Sequence, residues 1–286
     1  MRYRQKPVNF FLLASVTVFL LFLIAFMAIP SISLVMSSFT AEGEFSFEQY
    51  ATIFEKAVYR VSFQNSLMLS LRATATGMFI ALLASYALTR LAGEGLQRKL
   101  LVLINMTSNF AGVPLAFAFI VMLGNAGVFV ILCERLGLPW LDDFNIYSSQ
   151  GLFAVYTYFQ VPLGVMLLYP VYRGIREDWK EAARILGANT LQFWLRVGIP
   201  TILPSLVSTF TILFANAMGA YATAYQLVSS SYSLVPLRIS ALITGDIRSK
   251  PELGSALAIL LALSLILVML VSEWASHLAA RRGLKT

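Results

Sequence analysis

Six long apolar runs, parted by short stretches that hold nearly all of the charge, constrain this chain more than any other feature of it. A helix needs about 20 apolar residues to cross roughly 30 Å of hydrocarbon. Runs of that kind extend from about 10 to 36, 63 to 89, 100 to 123, 152 to 171, 204 to 228 and 254 to 276. The expected fold is therefore an all-α integral membrane protein, with six transmembrane helices in a single domain over 1–286 and both termini on one side. The first run is too long for the roughly 7–15-residue core of a secretory signal and is expected to remain as a span, kinked near its outer end by Pro30. Charged residues make up 12% of the chain, about half the usual share for a soluble domain.

Basic residues then set the orientation. Fourteen lysines and arginines fall on the side of the termini: Arg2, Arg4, Lys6, Arg90, Arg98, Lys99, Arg173, Arg176, Lys180, Arg184, Arg196, Arg281, Arg282 and Lys285. Six fall opposite, namely Lys56, Arg60, Arg135, Arg238, Arg248 and Lys250, so the termini are expected in the cytoplasm. The formal charge of +7 is accordingly a topology signal, and no nucleic-acid partner is expected from it. Outside the membrane, residues 37–62 carry Glu42, Glu44, Glu48 and Glu55 among aromatics and suit a short amphipathic helix. The stretch 124–151 holds Leu138-Pro139-Trp140 and Asp142-Asp143, turn residues beside an interfacial ring that could meet an external partner.

Several chemistries are excluded. Cys133 is the only cysteine and His277 the only histidine, so neither a disulfide nor a metal cluster can be built from them. No G-x-x-x-x-G-K segment exists to hold ATP phosphates, and no catalytic constellation of useful spacing occurs. The chain is not expected to be an enzyme or to bind a cofactor.

Between the fourth and fifth runs lie about thirty residues, more than a simple return needs. Glu177 to Leu186 are good helix formers, with two acids in the first turn and Gly187 just past the end. Asn189 and Gln192 form a capping-box pattern for a second helix, which would carry Leu191, Trp194 and Leu195 on one face until Pro200 and Pro204 redirect the chain. An interfacial helix pair that merely anchors the loop would fit the same physics. The full pattern resembles something more specific. Glu181-Ala182-Ala183, Gly187, and Val197-x-Ile199-Pro200 after a nine-residue gap resemble the EAA loop of MetI-like permeases of binding-protein-dependent ABC importers, although that family places Ile-x-Leu-Pro at the last element. Tyr50 with Asn65-Ser66-Leu67, Ala87-Leu88-Thr89-Arg90, Phe214-Ala215-Asn216 and Val235-Pro236-Leu237-Arg238 extend the resemblance over roughly 45–280. The second half is most similar to the group handling polyamines, ferric iron and phosphonates.

The resemblance implies two ATPase subunits carrying ATP-Mg, a second permease chain that differs from this one, and an external solute-binding protein. It further implies that Glu181 anchors the ATPase contact, Ala182 and Ala183 form its packing surface beside Ala188, and Gly187 makes the turn. The solute pathway is read less directly. In the fifth run Thr209, Thr211, Asn216, Tyr221, Thr223, Tyr225 and Gln226 form a polar set, of which Asn216, Tyr221 and Tyr225 are pathway candidates, with helix-to-helix bonding as the alternative. Arg72 is the one ionisable residue near a span centre; it serves the solute, pairs with a partner chain, or caps backbone carbonyls. No Asp or Glu lies in a span core, which favours an anionic or zwitterionic solute, whereas the resemblance favours a polyamine, with phosphonate next. An ion-coupled secondary transporter is the competing reading, poorly served by spans without a carboxylate.

Overall fold

The computed structural model describes residues 10–41, 43–138, 143–229, 231–245 and 249–283. Arg2, Arg4, Lys6, Glu42, Pro139, Trp140, Asp142, Arg248 and Lys285 lie outside the described residues, as do the side chains of His277, Arg281 and Arg282.

Among the described residues, six helical stretches are long and apolar enough to cross a membrane: Ala14–Ser38, Ala57–Arg90, Val113–Arg135, Ser149–Arg173, Thr190–Met218 and Pro251–Ser276. The first combines α1 (Phe10–Leu23) and α2 (Ile29–Ser38), joined by a π turn at Ile24–Ala28 in which the Ile29 N–H bonds the Ile24 carbonyl. Pro30 follows two residues later. Its missing N–H and bulky ring disturb the preceding turn, and the chain responds by widening that turn, a known form of helix irregularity. Next come a two-residue hairpin, β1 (Thr40–Ala41) and β2 (Glu44–Phe45), and α3 (Glu48–Glu55). The expected amphipathic helix is thus confined to α3, because Gly43 at φ +89° turns the chain into a hairpin first.

From Ala57 a single helix, α4 (Ala57–Arg90), runs 34 residues, about 51 Å at 1.5 Å per residue. It begins six residues before the apolar run. The third run corrects the expectation more sharply, since 100–123 is not one helix. It is divided between α5 (Glu94–Ser108) and α6 (Val113–Leu123), followed by α7 (Val128–Arg135). Gly112 takes φ +72° and Pro114 occupies the first turn of α6, so an uninterrupted α-helix cannot pass. The fourth run is α8 (Ser149–Arg173), capped by the Ser148 hydroxyl. Then follow α9 (Glu177–Ile185), α10 (Thr190–Phe193), a second π turn at Trp194–Gly198, and α11 (Ile199–Met218). Pro200 and Pro204 do not redirect the chain as expected; the π turn again sits two residues ahead of a proline and lets helix continue from Thr190 to Met218. The fifth run likewise ends early. Gly219 and Ala220 separate α11 from α12 (Tyr221–Val228), before α13 (Val235–Thr244) and α14 (Pro251–Gly283).

By packing, the described chain forms two units. The first comprises the described part of Met1–Ala57 with Ile239–Leu261. Within it Phe39 gathers Phe45, Phe47 and Tyr50 at centroid distances of 5.7, 5.5 and 5.2 Å, and the Tyr50 hydroxyl donates to buried Ser38. The second comprises Val58–Arg238 with the described part of Ala262–Thr286. Its main core joins Leu69 and Ala73 of α4, Leu115 of α6, Leu152, Val155 and Tyr156 of α8, and Leu227 and Val228 of α12. α4 and α8 meet through glycines: a Cβ on Gly77 would stand 2.6 Å from Gln160 Cβ, and one on Gly164 would stand 2.7 Å from Ala81 Cβ. Small residues allow such close approach between membrane helices. Buried Gln160 crosslinks three helices, its amide donating to Thr74 Oγ1 (3.0 Å) and the Leu213 carbonyl (2.8 Å).

Candidate functional site: a capped helical elbow

The segment 174–200 forms a stiff elbow. Asp178 pairs with Arg176 and Glu177 with Lys180 in the first turn of α9, where carboxylates also meet the positive end of the helix dipole. The Lys180 hydrogen bond, aided by the fields of Lys180, Arg90 and Arg184, holds the Glu177 carboxyl below its usual range. At the other end Gly187 sits at φ +81°, its N–H bonds the Arg184 carbonyl, and the Ala188 N–H bonds the Ala183 carbonyl, both at 2.9 Å. This is a Schellman closure, which requires a left-handed residue at that position. Immediately afterwards the expected capping box is present: the Gln192 N–H bonds Asn189 Oδ1 at 2.8 Å and the Asn189 N–H bonds Gln192 Oε1 at 2.9 Å. Helix, turn and helix are therefore each terminated internally, and little backbone freedom remains between them.

The elbow is rooted in the spans. Ile175, Phe193 and Ile202 are buried together, with Val171, Tyr172, Ala183, Trp194 and Val197 packed around them. Gly198 belongs to this root, since a Cβ there would lie 2.4 Å from the Trp194 ring.

The outward face differs from expectation. Glu181 and Ala182 are exposed and Gly187 is open, but Ala183 is half-buried against the root, and Ala188 is half-buried beside it. Ala183 faces inward because α9 presents its Ala183 side to α8 and α11. The outward apolar surface instead comes from Ile185 and Leu186, which are 86% and 85% exposed. Sequence reasoning passed over these two residues, although Ala182, Ile185 and Leu186 share the i, i+3, i+4 spacing of one helix face. The second helix splits similarly. Leu191 and Leu195 are exposed, while Trp194 turns in with Phe193. An elbow so built has no nucleophile or base placed for chemistry; it offers a rigid apolar knob with a carboxylate at its edge.

The polar residues of the fifth run separate into two groups. Thr209 and Thr223 are buried, Thr223 donating to the Gly112 carbonyl, and Thr211 bonds Ser272 of α14 at 2.6 Å. These serve packing. Asn216, Tyr225 and Gln226 are exposed, and Tyr221 pairs its ring with Tyr225 at 5.5 Å. The break at Gly219–Ala220 is held by the Tyr156 hydroxyl, which donates to the Ala220 carbonyl at 2.6 Å. Arg72, midway along α4, is exposed with its guanidinium 5.2 Å from the Phe153 ring centre. No salt bridge to it occurs among the described residues.

The family profile described as "Binding-protein-dependent transport system inner membrane component" matches residues 77–283. The osmoprotective compounds uptake permease protein GgtC of Synechocystis is 23% identical over 270 residues, covering 90% of this chain and 95% of that protein. The probable sulfate transport system permease protein cysT of Prototheca wickerhamii is 31% identical over 129 residues, covering 44% of this chain and half of that protein's length. Among solved structures, a bacterial ABC transporter importing the acidic polysaccharide alginate has a chain of similar fold, with TM-score 0.75 at 16% identity, covering 93% of this chain and 95% of that one.

Proposed function

This chain belongs to the family of binding-protein-dependent transport system inner membrane components, and from that premise we propose that the elbow Glu181–Ala188 couples solute passage to ATP hydrolysis in a separate subunit. The chain is a multi-pass inner-membrane permease subunit of an ABC importer, and ATP-Mg is bound by the partner ATPase. One observation carries the coupling reading: Ile185 and Leu186 stand almost fully exposed at the tip of a helix closed by the Gly187 turn and resting through Ala183 on the roots of α8 and α11. Exposed apolar groups on a fixed support suit a protein contact, and a stiff elbow passes a push on its tip to both spans as rigid-body motion. Glu181 supplies a polar contact at the edge of that knob, Ala182 its small neighbour, and Ala183, Gly187 and Ala188 its closure. The transmembrane part acts as one domain, with both termini and the elbow in the cytoplasm. A second, different permease chain completes the pathway, two ATPases dock below, and an external binding protein delivers solute.

For the solute itself we favour a small anion or neutral polar compound. The support is Arg72 at mid-span, the lack of any carboxylate in a span core among the described residues, and the sulfate and osmoprotectant named for two relatives. The polyamine reading rests on sequence resemblance alone. Arg72, Asn216, Tyr221 and Tyr225 would then face the pathway, with Arg72 selecting for negative charge. Co-purification and uptake in vesicles test both levels. Ile185→Asp should release the ATPase and abolish ATP-driven uptake while the chain stays inserted; undiminished uptake would refute the coupling role. Arg72→Gln should depress uptake of an anion such as sulfate, and a wild-type transporter that carries only polyamines would refute the solute class.

A further inference from the structure

A second feature sits at the root of the elbow and is not used by the coupling contact. A cavity of about 330 Å³ opens between the ends of α4 and α8 and the start of α9. Four cations line it, Arg90 of α4, Arg173 of α8, Arg176 in the connection just ahead of α9 and Lys180 of α9, against a single carboxylate, Glu177. Its wall is aromatic: Tyr86, Tyr172 and Trp194 form a closed triangle with centroid distances of 6.0, 5.6 and 5.9 Å. Arg90 lies over the Tyr86 ring at 5.4 Å, and the Lys180 side chain is only 16% exposed, so both charges are held in place. Like charges gathered this closely repel one another unless an anion intervenes. Glu177 is bonded to Lys180 and Asp178 to Arg176, and neither Arg90 nor Arg173 forms a salt bridge among the described residues, although the field of Arg90 reaches Glu177.

We infer that this cavity binds a phosphate-bearing anion, and that its source is the headgroup of an acidic phospholipid in the leaflet on the elbow's side. The volume falls within the range of small-ligand sites, about 300–1,000 Å³. Its composition, basic groups beside Tyr and Trp at the ends of two apolar helices, is that of a membrane interface tuned to anionic lipid. Guanidinium groups suit phosphate oxygens because they offer paired donors. A headgroup held here touches α4, α8 and α9 together, so the lipid ties the lever to its spans. Only the naming of the leaflet rests on the proposed orientation; the site itself does not.

The experiment reads binding without transport. The assembled transporter is purified from bilayers of phosphatidylcholine with phosphatidylglycerol, and retained lipid is measured by native mass spectrometry. Wild type should keep phosphatidylglycerol in preference to phosphatidylcholine, and Arg90→Gln combined with Arg173→Gln should lower that retention at least tenfold. Glu177→Gln, which removes the lone negative group, should retain it undiminished and shows that mutation near the cavity is tolerated. Excess inorganic phosphate that displaces the lipid upholds the anion class and makes free phosphate a competing occupant. Equal retention by wild type and the double variant overturns the inference. So does retention seen only after the ATPase has been stripped away, because the cavity would then belong to the protein contact.

Discussion

The turn at Gly187 allows backbone strain to be separated from side-chain contact. The residue sits at φ +81°, yet a Cβ built there meets nothing within 4 Å. Any cost of substitution is therefore conformational. An L-residue forced into the left-handed region pays about 1–2 kcal/mol, and with 1.4 kcal/mol per tenfold this corresponds to roughly a 5- to 30-fold loss in the population of the closed Schellman turn. Gly187→Ala should fall in that range, Gly187→Val at or beyond its upper end because of β-branching, and Gly187→Asn near wild type because Asn visits this region readily. The assay is affinity of the purified permease for its ATPase, paired with ATP-driven uptake in vesicles and with thermal melting of the spans. The order Gly, Asn, Ala, Val should appear in affinity and uptake while melting stays constant. If Val matches Gly in affinity, or Asn is no better than Val, the turn is not what presents the knob and the reasoning fails.

Three further outcomes are expected. Gly77→Ala and Gly164→Ala each force a Cβ to within 2.6–2.7 Å of α8 or α4 neighbours and should lower stability by about 1–3 kcal/mol, as overpacking does, measured by thermal melting in detergent. Gln160→Leu removes two interhelical bonds and should cost about 1.2 kcal/mol, twice the average of about 0.6 kcal/mol for one such bond in membrane helices, read by the same melts. The folded-state carboxyl of Glu177 is depressed chiefly by its hydrogen bond to Lys180, so the support it gives α9 is complete above the ordinary carboxylate range and is lost as pH falls through the depressed value; amide protection at Trp179 and Lys180, corrected for the intrinsic exchange rate at each pH, should fall over that window, and Glu177→Gln should remove this part of the dependence.

Apolar length and capping chemistry made the spans and the elbow readable in advance. The Asn189–Gln192 box and Gly187 act through their nearest neighbours in the chain, so local pattern is enough to find them. The helix breaks at Gly112 and Gly219 were missed for a physical reason: hydropathy is the same whether an apolar run continues or bends. Only Gly112 with Pro114 left a local mark. The direction of Ala183 and the exposure of Ile185 and Leu186 depend on how α9 lies against α8 and α11, a tertiary matter. The polar set of the fifth run needed the structure for the same reason, since Thr211 finds Ser272 sixty-one residues away.

The π turn at Trp194–Gly198 carries one residue more than the α turn it replaces. One residue is about 100° of helical rotation, so the turn is a phase joint: the elbow below and the buried stripe of α11 above are indexed to different clocks. Deleting a single residue within 194–198 would leave every loop its length and every cap its partner. With the extra residue gone the π turn closes into an α turn, and Leu213 and Phe214 keep their orientation relative to Asn189. A one-residue change is thus absorbed at this joint, whereas the same change farther along α11 would rotate everything beyond it by about 100°, and sliding the extra residue along α11 would re-face only the residues it passes.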